Sequence, residues 1–210
     1  NEQRRCAAVS ITYFGSATAQ VNERWTGDQQ DEVREALYEE SLEDRDRWVR
    51  NHFDLPSAVL KTYTIQGLEK HDLAIGIDME LIMQKFASVS GDRIFFNPNL
   101  MERRTFVPPD VSQRLAPVRY HYPYHDADSI IYTIPIGYHT ESLPAELNLQ
   151  SSFGEFHAKT RMLGDTAVVY TRSLICHEYS IPASNYPEYR KFYGDIVKAD
   201  RAQVVLVRKK

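Results

Sequence analysis

The sequence predicts a mainly β protein: an antiparallel β-sandwich with a charged helical insertion and one C-terminal helix. Three observations predict it. Residues 6–14, 17–25 and 73–84 alternate apolar and polar side chains with the period of two of a half-buried strand. Residues 29–53 and 184–198 abandon that period for helical spacing, the first with a narrow apolar stripe and many charges, the second with a broad apolar face. The composition, with 13 Tyr, 10 Pro and 9 Gly, favours short strands joined by turns.

The elements follow in order. Ala7, Val9, Ile11 and Tyr13 share one side of the first strand, and Ala17, Ala19, Val21 and Trp25 one side of the second. A two-residue loop at Gly15-Ser16 would set Tyr13 against Thr18. An odd, three-residue loop pairs Ile11 with Val21 and Tyr13 with Ala19, and this register is expected because a slip of one residue exchanges the faces. From Asp28 to Asp54 ten acids face four arginines, and Ser41 with Asp44 reads as a cap restarting the helix. Glu43–Arg47 and Asp46–Arg50 are favourable i,i+4 pairs, so the acidic face reads as solvated rather than as a docking face. Asp54-Leu55-Pro56 ends this section. Strands are expected at 57–66, at 73–84 (Leu73, Ile75, Ile77, Met79, Leu81 and Met83 on one face), and at 93–96 after a turn at Ser90-Gly91-Asp92. Residues 98–117, with Pro98, Pro108, Pro109 and Pro117, lack a pattern and read as a seam or crossover. On one side stand residues 1–115, with the hairpin, the charged helices and the long strand; on the other stands a terminal β-rich domain, residues 116–210. Further strands are expected at 118–124, 129–136, 149–160 and 166–178. Ser184 should cap the last helix, with Pro187 in its first turn, and a buried strand should close the chain at 202–208.

Composition narrows the function classes. A net charge of −4 argues against a nucleic-acid binder, and no apolar run approaches the roughly 20 residues of a membrane span. Beginning at Asn1 rather than Met, the sequence reads as a mature fragment or an excised domain. Cys6 and Cys176 have no metal-like spacing; two unlinked thiols are expected, with a disulfide open to them in an oxidising compartment. No Gly-rich phosphate loop, GxSxG elbow or HExxH helix is present, so no cofactor is expected.

Four groups of residues invite a chemical reading. Cys176-His177 could be a nucleophile and base, but neighbours on a strand point to opposite faces, and a buried structural Cys is expected. His121, His125 and Asp126 or Asp128 could hold a metal if a turn at Pro123 or Asp126 brought them together; extended, the two histidines stand about 13 Å apart. Asp78 and Glu80 share a strand face about 6.6 Å apart, near the separation of inverting glycosidases, although alternate acids are common on wet strands. Tyr120, Tyr122 and Tyr124 recur at period two, and such a stripe is either a sugar- or peptide-binding platform or, more in keeping with strand aromatics, core. His139, Glu141 and His157 are scattered polar groups.

A longer pattern carries a resemblance. Pro135-x-Gly137-Tyr138, Phe153-Gly154-x-Phe156, Tyr170-x-Arg172 and the segment from Tyr186 to Leu206 resemble the C-terminal domain of unknown function of secreted bacterial transglutaminase-like proteins. The resemblance is best from about Arg119 to Lys210 and weaker before 115. It implies a papain-like core in the same parent polypeptide and export to the periplasm or cell surface. The family's catalytic Cys, His and Asp belong to that core, and no matching Cys motif occurs here. Within the motifs, Gly137 is expected to allow a positive φ or a close approach after Pro135, and Gly154 a bulge between Phe153 and Phe156. Arg172 is expected to pair with a carboxylate such as Asp200, and Asp200 to cap the turn before the last strand.

The expected function is a non-catalytic accessory domain whose partner is the transglutaminase-like core, with Trp25, Tyr120 and Tyr124 buried. An open cleft lined by perturbed acids or histidines would count against it. A glycan- or cell-wall-peptide-binding module and a metal-dependent hydrolase are the alternatives.

Overall fold

The computed structural model describes residues 1–52, 58–111 and 114–209. Its strands are β1 (Glu2–Ile11), β2 (Ala17–Thr26), β3 (Ala58–Gln66), β4 (Ala74–Met83), β5 (Ser88–Ser90), β6 (Arg93–Phe96), β7 (Val118–Arg119), β8 (Tyr124–Thr133), β9 (Tyr138–Ser142), β10 (Leu147–Gln150), β11 (Gly154–Leu163), β12 (Ala167–Cys176), β13 (Ser180–Ile181) and β14 (Val204–Arg208). The helices are α1 (Asp28–Leu37), α2 (Leu42–His52) and α3 (Tyr186–Asp200). The protein is mainly β. An eight-stranded sheet runs β10-β11-β12-β8-β1-β2-β4-β3, and a four-stranded sheet runs β5-β6-β14-β9. Pairing is antiparallel except between β1 and β8. The large sheet takes strands from both sides of residue 115.

One face of the large sheet is core. Val9, Val21 and Ile130 alternate with exposed neighbours, and Ile77 and Leu174 with half-buried ones, as a sheet with one wet face requires. The small sheet covers part of that face, joined by the ring of Tyr132 on β8, which packs 4.9 Å from Phe96 on β6. Helix α3 buries Tyr186, Phe192, Tyr193, Ile196 and Val197. Among its described residues the charged insertion buries Val33, Leu37 and Val49. Ser41 caps its second helix: the Asp44 N–H donates to Ser41 Oγ (3.1 Å), and the Ser41 hydroxyl donates to Asp44 Oδ2 (2.6 Å). Arg47 meets Glu43 at 3.2 Å and Arg50 meets Asp46 at 2.7 Å. The expected stop at Asp54-Leu55-Pro56 lies outside the described residues.

The structure corrects several expectations. The hairpin loop is odd-numbered but spans residues 12–16, so Ile11 pairs with Ala17 and Ala7 with Val21. The Thr12 N–H donates to Ser16 O at 2.8 Å and closes the loop early; the shift is even, so the faces are unchanged. The strand expected at 118–124 breaks at the bend His121-Tyr122, and the next begins at Tyr124. The stretch 149–160 splits around a turn in which the Ser151 N–H and Oγ both donate to Gly154 O (2.9 and 2.8 Å). Strand β9, polar except at Tyr138, carries no alternation and is made a strand by its partner β14. Helix α3 starts after a 3-10 turn at Ala183–Asn185; Asn185 is its N-cap, while Ser184 Oγ donates to Asn185 Oδ1.

The two motif glycines differ. Gly137 has φ +83°, and nothing lies within 4 Å of a Cβ built there. Gly154 sits in an unbroken ladder opposite Cys176, not in a bulge. A Cβ at Gly154 would stand 2.4 Å from the backbone oxygen of Ile175, so close approach of two strands is what requires glycine. Gly137→Ala is therefore expected to cost about 1 kcal/mol from left-handed strain alone. Gly154→Ala is expected to cost about 1–3 kcal/mol, because backbone must move. Urea denaturation of both variants checks the order; equal costs would show that the sheet yields freely at Gly154.

Candidate functional site: a buried ion network beside a tyrosine cluster

The inner face of the large sheet carries charge where strand parity demands core. Glu23, Arg5, Asp128 and Arg172 are direct lateral neighbours on β2, β1, β8 and β12. They form one row of alternating sign, and each is at most 4% exposed. Arg5 Nε donates to Asp128 Oδ1 at 2.5 Å and Arg5 Nη1 to Glu102 Oε2 at 3.0 Å. Arg172 approaches Asp128 at 3.6 Å and donates from Nε to Asp200 Oδ1 at 3.4 Å. The 3.6 Å approach is an ion pair without a hydrogen bond, so Arg172 Nη1 and Asp128 Oδ2 have no hydrogen-bond partner among the described residues.

The patternless crossover supplies the other half. Asn99 Nδ2 donates to Asp200 Oδ1 (2.8 Å) and to the Glu102 carbonyl (2.7 Å), and the Arg104 N–H donates to Asp200 Oδ2 (3.0 Å). The Asp200 carboxylate thus turns inward; it does not cap the turn before β14. Burial alone would raise Glu102, but Arg5, Arg104 and Arg172 hold it below the usual carboxylate range. Burial works against the Arg5 charge, yet Asp128, Glu102 and Glu23 more than offset it and raise its pKa. Burial raises the Asp128 carboxyl against the pull of Arg5 and Arg172. The network ties the sheet, the crossover and the end of α3 together.

A cluster of phenols adjoins it. Tyr120 OH lies 2.9 Å from both Tyr189 OH and Tyr193 OH, and Tyr124 OH lies 3.4 Å from Tyr193 OH. The Arg104 guanidinium stands 5.2 Å over the Tyr193 ring. Burial, reinforced by the neighbouring phenols, raises the pKa of Tyr120 and Tyr124. Tyr122 goes elsewhere, donating to Glu32 Oε1 of α1 at 2.7 Å. The three tyrosines therefore do not form a stripe on one strand face, because the bend at His121-Tyr122 rotates Tyr122 away from the other two. Trp25 is buried; Tyr120 and Tyr124 are half-buried.

The remaining candidates are dispersed. His121 is exposed in the bend, and His125 and Asp126 are adjacent on β8 and point to opposite faces. His125 meets Ser173 Oγ (3.0 Å) and Glu2 (3.3 Å), while Asp126 accepts from Gln29 (2.9 Å). Among the described residues no group of three His, Cys, Asp or Glu side chains converges as metal ligands. Asp78 accepts from Asn22 and Gln66, both at 2.7 Å, and Glu80 pairs with Lys61 at 2.9 Å. Both carboxylates line a shallow depression of about 640 Å³ on the wet sheet face. Cys6 is exposed and Cys176 buried, both as free thiols. Burial raises the Cys176 thiol, and His177 on the other face pairs with Glu155 at 3.0 Å. Glu141 forms a bidentate pair with Arg93 (2.5 and 2.6 Å), and His157 meets Glu146 at 3.0 Å.

The family model described as a domain of unknown function with a solved structure, DUF3858, matches residues 92–206, more than half of the chain. The chain belongs to the DUF3858 family. The match begins just before β6 and ends within β14, so it takes in β6, β9 and the start of β14, together with the crossover, Arg172 and Asp200. Comparison with curated proteins gives no match. A crystal structure described as that of a candidate protease from Parabacteroides distasonis ATCC 8503 aligns at 12% identity with a TM-score of 0.40. That alignment covers 47% of this chain and 19% of the other, so the matched region is about a fifth of that protein.

Proposed function

We propose that this DUF3858 protein is a non-catalytic accessory module that supports or positions a transglutaminase-like core in an exported parent polypeptide. The observation that carries the reading is where its ionisable groups lie. Arg5, Asp128, Arg172 and Asp200 bond to one another in the interior, with the half-buried Glu102 on Arg5, and they join elements far apart in sequence. Asp126 is the buried acid that reaches a cleft. Burial pushes its pKa up, but its Oδ1 is already taken by the Gln29 amide; Tyr120, Tyr122, Tyr124, Glu32 and the exposed His121 share the cleft, and Glu32 is itself engaged by the Tyr122 hydroxyl. The transglutaminase association and the export rest on the motif resemblance.

The test is made on the parent polypeptide. Deleting this module is expected to lower the yield and thermal midpoint of the core while leaving turnover per folded core unchanged, and the parent is expected in the periplasmic or surface fraction. A parent without such a core, or a deletion that abolishes turnover in a folded core, overturns the reading.

A further inference from the structure

Between α1, α2 and the inner edge of the large sheet lies a cleft that the ion network does not use. It has two chambers, of about 390 and 270 Å³, with Gln29, Glu32 and Tyr122 in the walls of both. The Tyr122–Glu32 hydrogen bond links two of these shared wall residues. Trp25, Trp48 and His52 line the larger chamber, with His52 stacked on Trp48 at 4.6 Å. Its volume falls within the range of about 300–1,000 Å³ usual for ligand sites.

The polar groups of these walls are biased toward acceptors. Gln29 must turn its amide nitrogen to the Asp126 carboxylate, which accepts it at 2.9 Å. Its Oε1 is then left buried with no hydrogen-bond partner among the described residues. Glu23 lies behind Gln3 and His52, two further wall residues. Gln3 Nε2 donates to Glu23 Oε1 at 2.5 Å, while Glu23 Oε2 stands 3.4 Å from His52 Nε2 and accepts no hydrogen bond among the described residues. Glu23 is 1% exposed. Glu32 adds an exposed carboxylate at the wall. The guanidinium groups of the neighbourhood lie outside the chamber wall: Arg5 bonds to Asp128 and Glu102 and faces Glu23 across the strands, and Arg104 stands over the Tyr193 ring. Buried acceptors that lack donors, an exposed carboxylate and indole walls select a group that carries several N–H donors and a positive charge.

We infer that the larger chamber binds an alkylammonium group, seated against the indoles and donating to Glu32 and Gln29. The group is either a lysine-like side chain of a peptide or a free aliphatic amine. This inference stands apart from the accessory reading, and either can fail without the other.

The experiment uses the intact chain at pH 8 and low salt. Trp25 and Trp48 are the only two tryptophans of the sequence, and both line the chamber, so intrinsic fluorescence reports the site directly. Nα-acetyl-lysine amide is expected to give a saturable change in emission, and Nα-acetyl-norleucine amide, the uncharged analogue, none. Cadaverine in a third arm separates the two sources: tighter binding than the lysine derivative points to a free amine, weaker binding to a peptide side chain. Glu32→Gln, a change at an exposed position, is expected to weaken binding about tenfold, the effect of losing one cation contact. Circular dichroism confirms that this variant is folded. Equal responses to lysine and norleucine derivatives, no saturation up to about 10 mM, or unchanged affinity in a folded Glu32→Gln overturns the inference.

Discussion

Arg172→Ala is expected to lower the stability of the fold by about 3–5 kcal/mol, the cost of stranding buried carboxylates. Arg172 is 2% exposed and stands between two of them, 3.6 Å from Asp128 and 3.4 Å from Asp200. Truncation removes both contacts and the 5.2 Å stacking of the guanidinium over Phe156. Neither carboxylate is left bare, since Asp128 keeps Arg5 and Asp200 keeps Asn99 and the Arg104 N–H. For this reason the upper end of the range is not expected. At about 2–4 °C per kcal/mol for a chain of this size, a loss of about 3–4 kcal/mol should lower the thermal midpoint by roughly 6–16 °C. Arg172→Lys separates charge from geometry: it keeps the positive charge but loses the fork that reaches in two directions, so a smaller loss is expected. Thermal melts followed by circular dichroism check both. A loss below about 1 kcal/mol for Arg172→Ala would show that the row of charges is bystander to the fold.

That row also shows how far sequence reading reaches. Arg5 has the parity of Ala7 and Val9, Glu23 that of Val21 and Trp25, and Asp128 that of Ile130 and Tyr132. Each is a charge at an inward position, and the signal is present in the alternation itself. It is hard to use because one inward charge reads as the frayed end of a strand. Its meaning depends on which strand lies beside it, and the parallel pairing of β1 with β8 joins residues more than a hundred positions apart. Arg172 was legible because the pattern around it, Val168 to Leu174, is long enough to fix its direction. Asp200 was legible as a partner but not as a buried one, because the groups that claim its carboxylate, Asn99 and the Arg104 amide, come from a crossover without periodicity. The same limit explains the tyrosines. Period two predicts one face only while the chain stays extended, and the bend at His121-Tyr122 instead brings Tyr122 to Glu32 of a helix ninety residues earlier. The sequence placed β2, β4 and β6 to within a residue, whereas β1, for all its alternation, begins four residues and ends three residues before the expected 6–14. The polar strand β9 depends wholly on its neighbour β14.

The second large effect concerns the joint between the two sheets. Tyr132 is fully buried on β8, its ring 4.9 Å from Phe96 and 5.9 Å from Phe86, and its hydroxyl donates to the Pro98 carbonyl at 2.6 Å. Burial pushes its pKa well above the ordinary phenol value, so it remains a donor at any working pH. Tyr132→Ala is expected to cost about 3–5 kcal/mol, as usual when a buried ring is deleted and its surroundings relax only in part. Tyr132→Phe keeps the ring and leaves the Pro98 oxygen without its donor, at about 1–3 kcal/mol. The difference between the variants assigns the joint to packing or to the hydrogen bond. Amide exchange then locates the damage. If Tyr132 joins the sheets, exchange in β6 and β14 should accelerate more than in β2 and β4, which pair with each other on the far side of β1. Uniform acceleration across all four strands would mean that the two sheets unfold as one unit, and that Tyr132 contributes to a common core and not to a seam.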